Sequence, residues 1–258
     1  MDSPEEKTLE QVTARLMSSF DTRRSRRSLL KGATVAGAAG ITALGAGAFL
    51  LPKGSVAHAS PLNGAPEDSV AQILSIAATA EQLAVTFYGQ GIKYAHKLNI
   101  SGVNLSYLQA AIVEEQLHRD FLVAAGGKPL TDKFSFPQGD DTFDDIYKFI
   151  KTLDQLETAF EAAYLAAVME FAQYNQPRLA QIAAQIGIIE GEHRTLGVSI
   201  PGTVPVPNNH AYAPVLVDSV TDAAEYLASA GYLSPKHDNS YTYHPVSTYD
   251  PYVSYRQP

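Results

Sequence analysis

Four stretches of this chain carry apolar residues at helical spacing, and ionisable residues interrupt the apolar seam of all four. In the first, Leu74, Ala77, Ala84 and Tyr88 mark a three-four repeat with Glu81 in line. In the second, Leu108, Ala111 and Leu122 mark it, with Glu115 and His118 in line. Ile150, Leu153, Phe160 and Tyr164 mark the third around Glu157, and Ala183, Ile186 and Gly197 mark the fourth around Glu190 and His193. Such a seam faces the core when helices pack together. Four carboxylates and two imidazoles therefore stand where apolar side chains belong.

The pattern is also duplicated. The second and fourth stretches each contain Glu-x-x-His, a spacing that puts both side chains on one side of a helix about one turn apart. In the first and third, Glu81 and Glu157 each precede a tyrosine, Tyr88 and Tyr164, by seven residues. The halves superpose at nearly constant offset, 76 residues for the Glu81 and Glu157 pair and 75 for Glu115 and Glu190. This is an internal repeat of a helix hairpin.

Energetics turn the pattern into a constraint on function. An unpaired buried charge costs several kcal/mol, whereas a whole domain is stable by only about 5–15 kcal/mol. The seams contain no Lys or Arg to balance four carboxylates. Two divalent cations do balance them, and neutral imidazoles complete the ligand set. A different helix phasing would instead leave these residues as surface pairs, which is the usual fate of one isolated Glu-x-x-His.

The remaining punctuation predicts how the helices connect. The first runs from about Pro66 to Leu98 and is broken by Asn99 and Gly102, with Asn104 as N-cap of the second, which stops at Gly126-Gly127. The third spans about Phe143 to Tyr174, Asn175-Gln176 makes a tight turn, and Pro177 opens a fourth that ends near Gly197. Connections are thus short, long, short. The middle one, Gly126 to Asp141, can reach up to ~55 Å extended, more than the ~30 Å length of a 20-residue helix. It can therefore run the whole length of a bundle. Beyond Gly197 come a Pro-rich loop, one short amphipathic helix from Ser219 to Gly231, and a Tyr/Pro/Ser/His tail from Ser234 that either wraps the bundle or stays mobile. His210, His237 and His244 read as loop histidines, without metal-site spacing.

Composition limits the partners. Among 258 residues there is no Cys, which excludes thiolate metal sites, disulfides and a Cys nucleophile. Residues 1–59 carry a formal charge of +3 and residues 60–258 one of −11. A body this acidic argues against nucleic acid as a partner. The basic front end, Arg23-Arg24-Ser25-Arg26-Arg27-Ser28-Leu29-Leu30-Lys31, precedes an Ala/Gly-rich apolar run and Ala57-His58-Ala59. That is the charged, apolar, A-x-A order of an export signal, and Ser25 to Lys31 resembles a twin-arginine signal, with Leu29 where Phe is usual. The expected organisation is an export signal over 1–59 with cleavage after Ala59, a helical bundle over 60–200 and an extension over 201–258. Left uncleaved, the apolar run is nearly long enough to anchor the chain in a membrane.

The bundle resembles the ferritin-like di-metal carboxylate proteins, in which one Glu from each of two helices joins Glu-x-x-His from each of two others, a ligand set also described in general accounts of such bundles. Leu83–Tyr88, Glu114–Leu122, Leu156–Tyr164 and Glu190–Leu196 look like the exported bacterial ferritin-like domain group related to plant desiccation-associated proteins. The resemblance, covering about Pro66 to Gly197, implies an all-α four-helix bundle with one long crossover between helices two and three. It implies Glu81, Glu115, His118, Glu157, Glu190 and His193 as ligands of two Fe or two Mn ions. Glu114, Glu161 and Glu192 read as flanking charges, Glu161 being able to replace or supplement Glu157, and Tyr88 and Tyr164 read as core aromatics or as partners of the site. The expected function is an exported oxidoreductase reacting with O2 or peroxide, carried out by the twin-arginine machinery. The alternative is a non-enzymatic stress-protective or metal-binding envelope protein; mineral storage would need a closed cage, of which the sequence carries no sign.

Overall fold

The computed structural model describes residues 68–212, 216–251 and 253–254. The export signal expected over 1–59, with its cleavage point, lies outside the described residues. Four long helices form the body: α1 (Val70–Lys93), α2 (Gly102–Ala124), α3 (Ile146–Gln173) and α4 (Pro177–Gly197). A short α5 (Val220–Ser229) follows, and the only strands among the described residues are β1 (Lys133–Phe134) and β2 (Tyr241–Thr242). The chain is all-α, as the seams predict.

Local chemistry sets the helix ends. Ser69 accepts a hydrogen bond from the Gln72 N–H and starts α1, and Asp145 accepts from the N–H groups of Tyr147 and Lys148 at the start of α3. Both helices therefore begin a few residues later than the apolar periodicity suggests. The expected N-cap Asn104 is corrected to Ser101. Gly102 has φ 58° and already opens α2, so Asn104 lies inside the helix, where its side chain donates to the Ile200 carbonyl. Asn99 and Asn175 take left-handed conformations, φ 55° and 54°, and turn the chain sharply after α1 and α3. Pro177 does open α4.

The hairpins α1–α2 and α3–α4 make the two most extensive helix contacts. The long connection from α2 to α3 is packed rather than loose: Phe134, Phe136 and Phe143 are buried, and Phe87 of α1 stacks on Phe149 of α3 beside them at 4.7 Å between ring centroids. The tail wraps the bundle. β2 pairs antiparallel with β1, Lys133 opposite Thr242 and Phe134 opposite Tyr241, and the Tyr243 hydroxyl donates to Gln116 on α2. A capping box of Ser219 and Asp222 starts α5, and the Glu170 carboxylate docks this end by accepting from the N–H groups of Val220 and Asp68.

Helix α1 is long and apolar enough to cross a membrane by composition. Here it is a core helix, with Ile73, Leu83, Phe87 and Tyr88 buried against its neighbours. The buried apolar residues fall into two clusters, one around Phe87, Leu108 and Leu153 and the other around Ile73, Leu122, Phe171 and Ile186. The ionisable residues of all four seams occupy the layer between them.

Candidate metal centre

All six residues predicted as ligands converge in that layer. Glu81, Glu115, Glu157, Glu190 and His193 are at most 1% exposed and His118 is 7% exposed. They form two overlapping groups, Glu81, Glu115, His118 and Glu190 in one and Glu115, Glu157, Glu190 and His193 in the other, each with ligand atoms within 4.8 Å of one another. The shared members are Glu115 and Glu190, and their oxygens divide between the groups. Around His118 Nδ1 lie Glu115 Oε2 at 3.4 Å, Glu190 Oε1 at 3.6 Å and Glu81 Oε2 at 3.7 Å. Around His193 Nδ1 lie Glu115 Oε1 at 3.0 Å and Glu190 Oε2 at 3.5 Å. Each shared glutamate thus offers one oxygen to either side, the arrangement needed to bridge two cations.

The tyrosines join the site crosswise. Tyr88 of α1 donates to Glu157 Oε1 of α3 at 2.5 Å, and Tyr164 of α3 donates to Glu81 Oε1 of α1. The seven-residue spacing in the sequence is the antiparallel crossing of the two helices: each carries a carboxylate opposite its partner's tyrosine. One oxygen of either glutamate is held by a phenol, leaving the other, Oε2, aimed into the centre.

A fit to cations follows from what these atoms lack. Glu81 Oε2, Glu115 Oε2, Glu157 Oε2, both oxygens of Glu190 and His118 Nδ1 are buried without a hydrogen-bond partner. Buried polar atoms are ordinarily satisfied, and here the orphans point at each other. The donor set is all oxygen and imidazole nitrogen, suited to hard or borderline divalent cations. Without cations, protons must do the neutralising. Burial, then the charge of Glu81, raises the pKa of Glu115; burial and the neighbouring glutamates raise Glu157 and Glu190. Burial opposes charge on His118, but the carboxylates of Glu115, Glu81 and Glu190 close around its Nδ1 prevail and push it up to about 10. His193 is likewise raised against its burial by Glu115, Tyr107 and Glu114.

Two flanking carboxylates have specific partners. Glu161 stands outside both groups, although its Oε1 is also buried without a hydrogen-bond partner. Its Oε2 accepts from Arg194, which also donates to Asp154 and to the His210 carbonyl, and burial raises its pKa to about 7. The reading of Glu114 as a mere flanking charge is corrected: its Oε2 lies 2.9 Å from His193 Nε2. Helical spacing hides this role, because Glu114 lies beside the seam and reaches an imidazole on another helix. Glu192 is exposed, as a flanking charge should be. Among the loop histidines, His210 lies near Asp154 at 3.8 Å, outside the centre.

No similar curated protein and no similar solved structure was found. A family model described as a ferritin-like domain matches residues 69–199, from the N-cap of α1 to just beyond α4 and so across every residue of the centre. The chain belongs to the ferritin-like domain family.

Proposed function

We propose that this protein is an exported di-metal oxidoreductase, holding two Fe or two Mn ions and reacting with O2 or peroxide. The observation that carries the reading is the division of the Glu115 and Glu190 oxygens between His118 and His193. Glu81 would complete the position at His118 and Glu157 the position at His193. Two divalent Fe or Mn ions held there would supply two electrons, one from each ion on going to the trivalent state, enough to reduce O2 to peroxide or peroxide to water.

The chain's own residues do the rest. The phenols of Tyr88 and Tyr164 hold Glu157 and Glu81 in place, so one oxygen of each stays directed inward. The two apolar clusters above and below exclude water and strengthen every charge interaction in the layer. A small apolar cavity of about 20 Å3 lies between α1, α3 and α5, lined by Ile76, Ala80, Ala163, Tyr164, Ala224 and Leu227. Its size suits a diatomic gas, and its walls offer nothing to a hydrogen-bonding molecule.

Export in the folded state through the twin-arginine machinery would let the protein load Fe or Mn inside the cell, away from copper and zinc, which bind such ligands more tightly. Replacing Arg26-Arg27 by Lys-Lys should then block transport; unchanged export means an ordinary signal. For the activity, protein purified from its own host and mixed with O2 or peroxide in a stopped-flow spectrometer should show oxidation of the bound metal. Bound metal that stays inert to both oxidants makes the protein a binder rather than a catalyst.

A further inference from the structure

The two halves of the centre are related by the repeat, yet their histidines are not equivalent. His193 is held at both ring nitrogens: Nδ1 faces Glu115 Oε1 at 3.0 Å, and Nε2 faces Glu114 Oε2 at 2.9 Å. Its backbone carbonyl accepts from the Tyr107 hydroxyl at 2.6 Å, and the rings of Tyr88 and Tyr107 pack edge-on to the imidazole. The His193 side chain is 1% exposed and that of His118 is 9% exposed. The repeat explains the difference. At the offset that maps Glu115 onto Glu190 and His118 onto His193, Glu114 maps onto Ile189, and an aliphatic side chain accepts no hydrogen bond.

We infer that Glu114 is a positioning residue that makes the two cation positions unequal, the one at His193 binding tightly and first, the one at His118 weakly and last. A carboxylate on the far nitrogen of a metal-bound histidine fixes its tautomer and ring orientation and raises its basicity as a ligand. Glu114 does this for His193: with Nε2 carrying the hydrogen it donates, Nδ1 is left with its lone pair toward Glu115 and Glu190. Ile189 supplies nothing comparable to His118. The less enclosed His118 position is therefore the one that exchanges its cation. The inference rests on the di-metal reading above, but it concerns equilibrium binding and needs no turnover.

The test is an anaerobic titration of the metal-free protein with cobalt(II), followed by visible absorption and calorimetry. The wild type should show two unequal steps, and His118→Ala should delete the weaker one, which assigns it. Glu114→Ala should weaken the tighter step by about 10- to 100-fold, the usual loss when such a partner is removed, and shift its cobalt bands while sparing the weaker step. Glu114→Gln should restore part of the affinity, because the amide oxygen still accepts from Nε2–H. Ile189→Glu should tighten the weaker step. Glu114 is 30% exposed, and an unchanged helical circular dichroism spectrum with cooperative unfolding of the metal-free variant will separate positioning from misfolding. Equal steps in the wild type, or a tight step that Glu114→Ala leaves unmoved, overturn the inference and spare the di-metal reading. A wild type that takes up no cobalt overturns both.

Discussion

The protonation of the centre predicts that metal-free and metal-loaded protein respond to pH in opposite directions. In the metal-free fold the pKa of His118 is pushed up to about 10, and that of His193 is also raised. Between the unfolded value near ~6.5 and the folded value, the native state holds protons that the unfolded chain has lost, so stability falls as pH rises. Each such proton is worth about 1.4 kcal/mol per pH unit, and His118, pushed up to about 10, carries one from pH 7 to 9, with His193 acting in the same direction. The raised carboxyls Glu115, Glu157 and Glu190 act in the same direction, starting from lower pH. For a chain of this size about 1 kcal/mol moves Tm by roughly 2–4 °C, so Tm without metal should fall by at least about 3–6 °C per pH unit above pH 7. Bound cations displace these protons. The loaded native state then holds fewer protons than the unfolded chain near pH 6.5, and its Tm should rise through that range and level off. Calorimetry at pH 6, 7, 8 and 9, with chelator or with Mn(II), reads both curves. A metal-free Tm that stays flat or rises across this range refutes the assignment of buried imidazolium and carboxylic acid groups.

Other perturbations address separate parts of the structure. Tyr88→Phe and Tyr164→Phe each strip one glutamate of its phenol partner; leaving a buried carboxyl oxygen unsatisfied should cost about 1–3 kcal/mol, seen as a lower Tm in the metal-free state. Gly91→Ala should destabilise by about 1–3 kcal/mol in chemical denaturation although alanine favours helices, because its Cβ would meet the Phe149 ring at 2.6 Å. Ala163→Phe should fill the apolar cavity beside Tyr164, slowing the stopped-flow reaction with O2 while leaving metal content and the reaction with peroxide unchanged.

Much of the centre could be read from the chain because seam position and burial are the same fact for a long amphipathic helix. Glu81, Glu115, His118, Glu157, Glu190 and His193 fall on the three-four repeat, and the bundle buries all of them. The crossing of Tyr88 with Glu157 and of Tyr164 with Glu81 was less visible, since equal spacing along two helices shows a likeness but not which residues meet. Glu114 was hidden altogether: no periodicity marks a side chain that leaves its own seam to reach the far nitrogen of His193. The start of α2 was misplaced for a local reason, as Asn104 is a good capping residue but Gly102 supplies the positive φ at which the chain turns into the helix. The wrapping of the tail depends on Gln116, a buried amide that accepts from the Tyr243 hydroxyl and the Val246 N–H, contacts between residues far apart in sequence.

In the proposed centre Glu115 and Glu190 would each offer one oxygen to either of two cations. Anomalous X-ray scattering from crystals of the Mn-loaded protein tests it directly. Two peaks per chain are expected about 3.5–4 Å apart, the usual spacing of paired metal sites, one beside His118 Nδ1 and one beside His193 Nδ1, with Glu115 and Glu190 between them. A single peak, or peaks only at surface carboxylates with the buried layer free of metal, would contradict it.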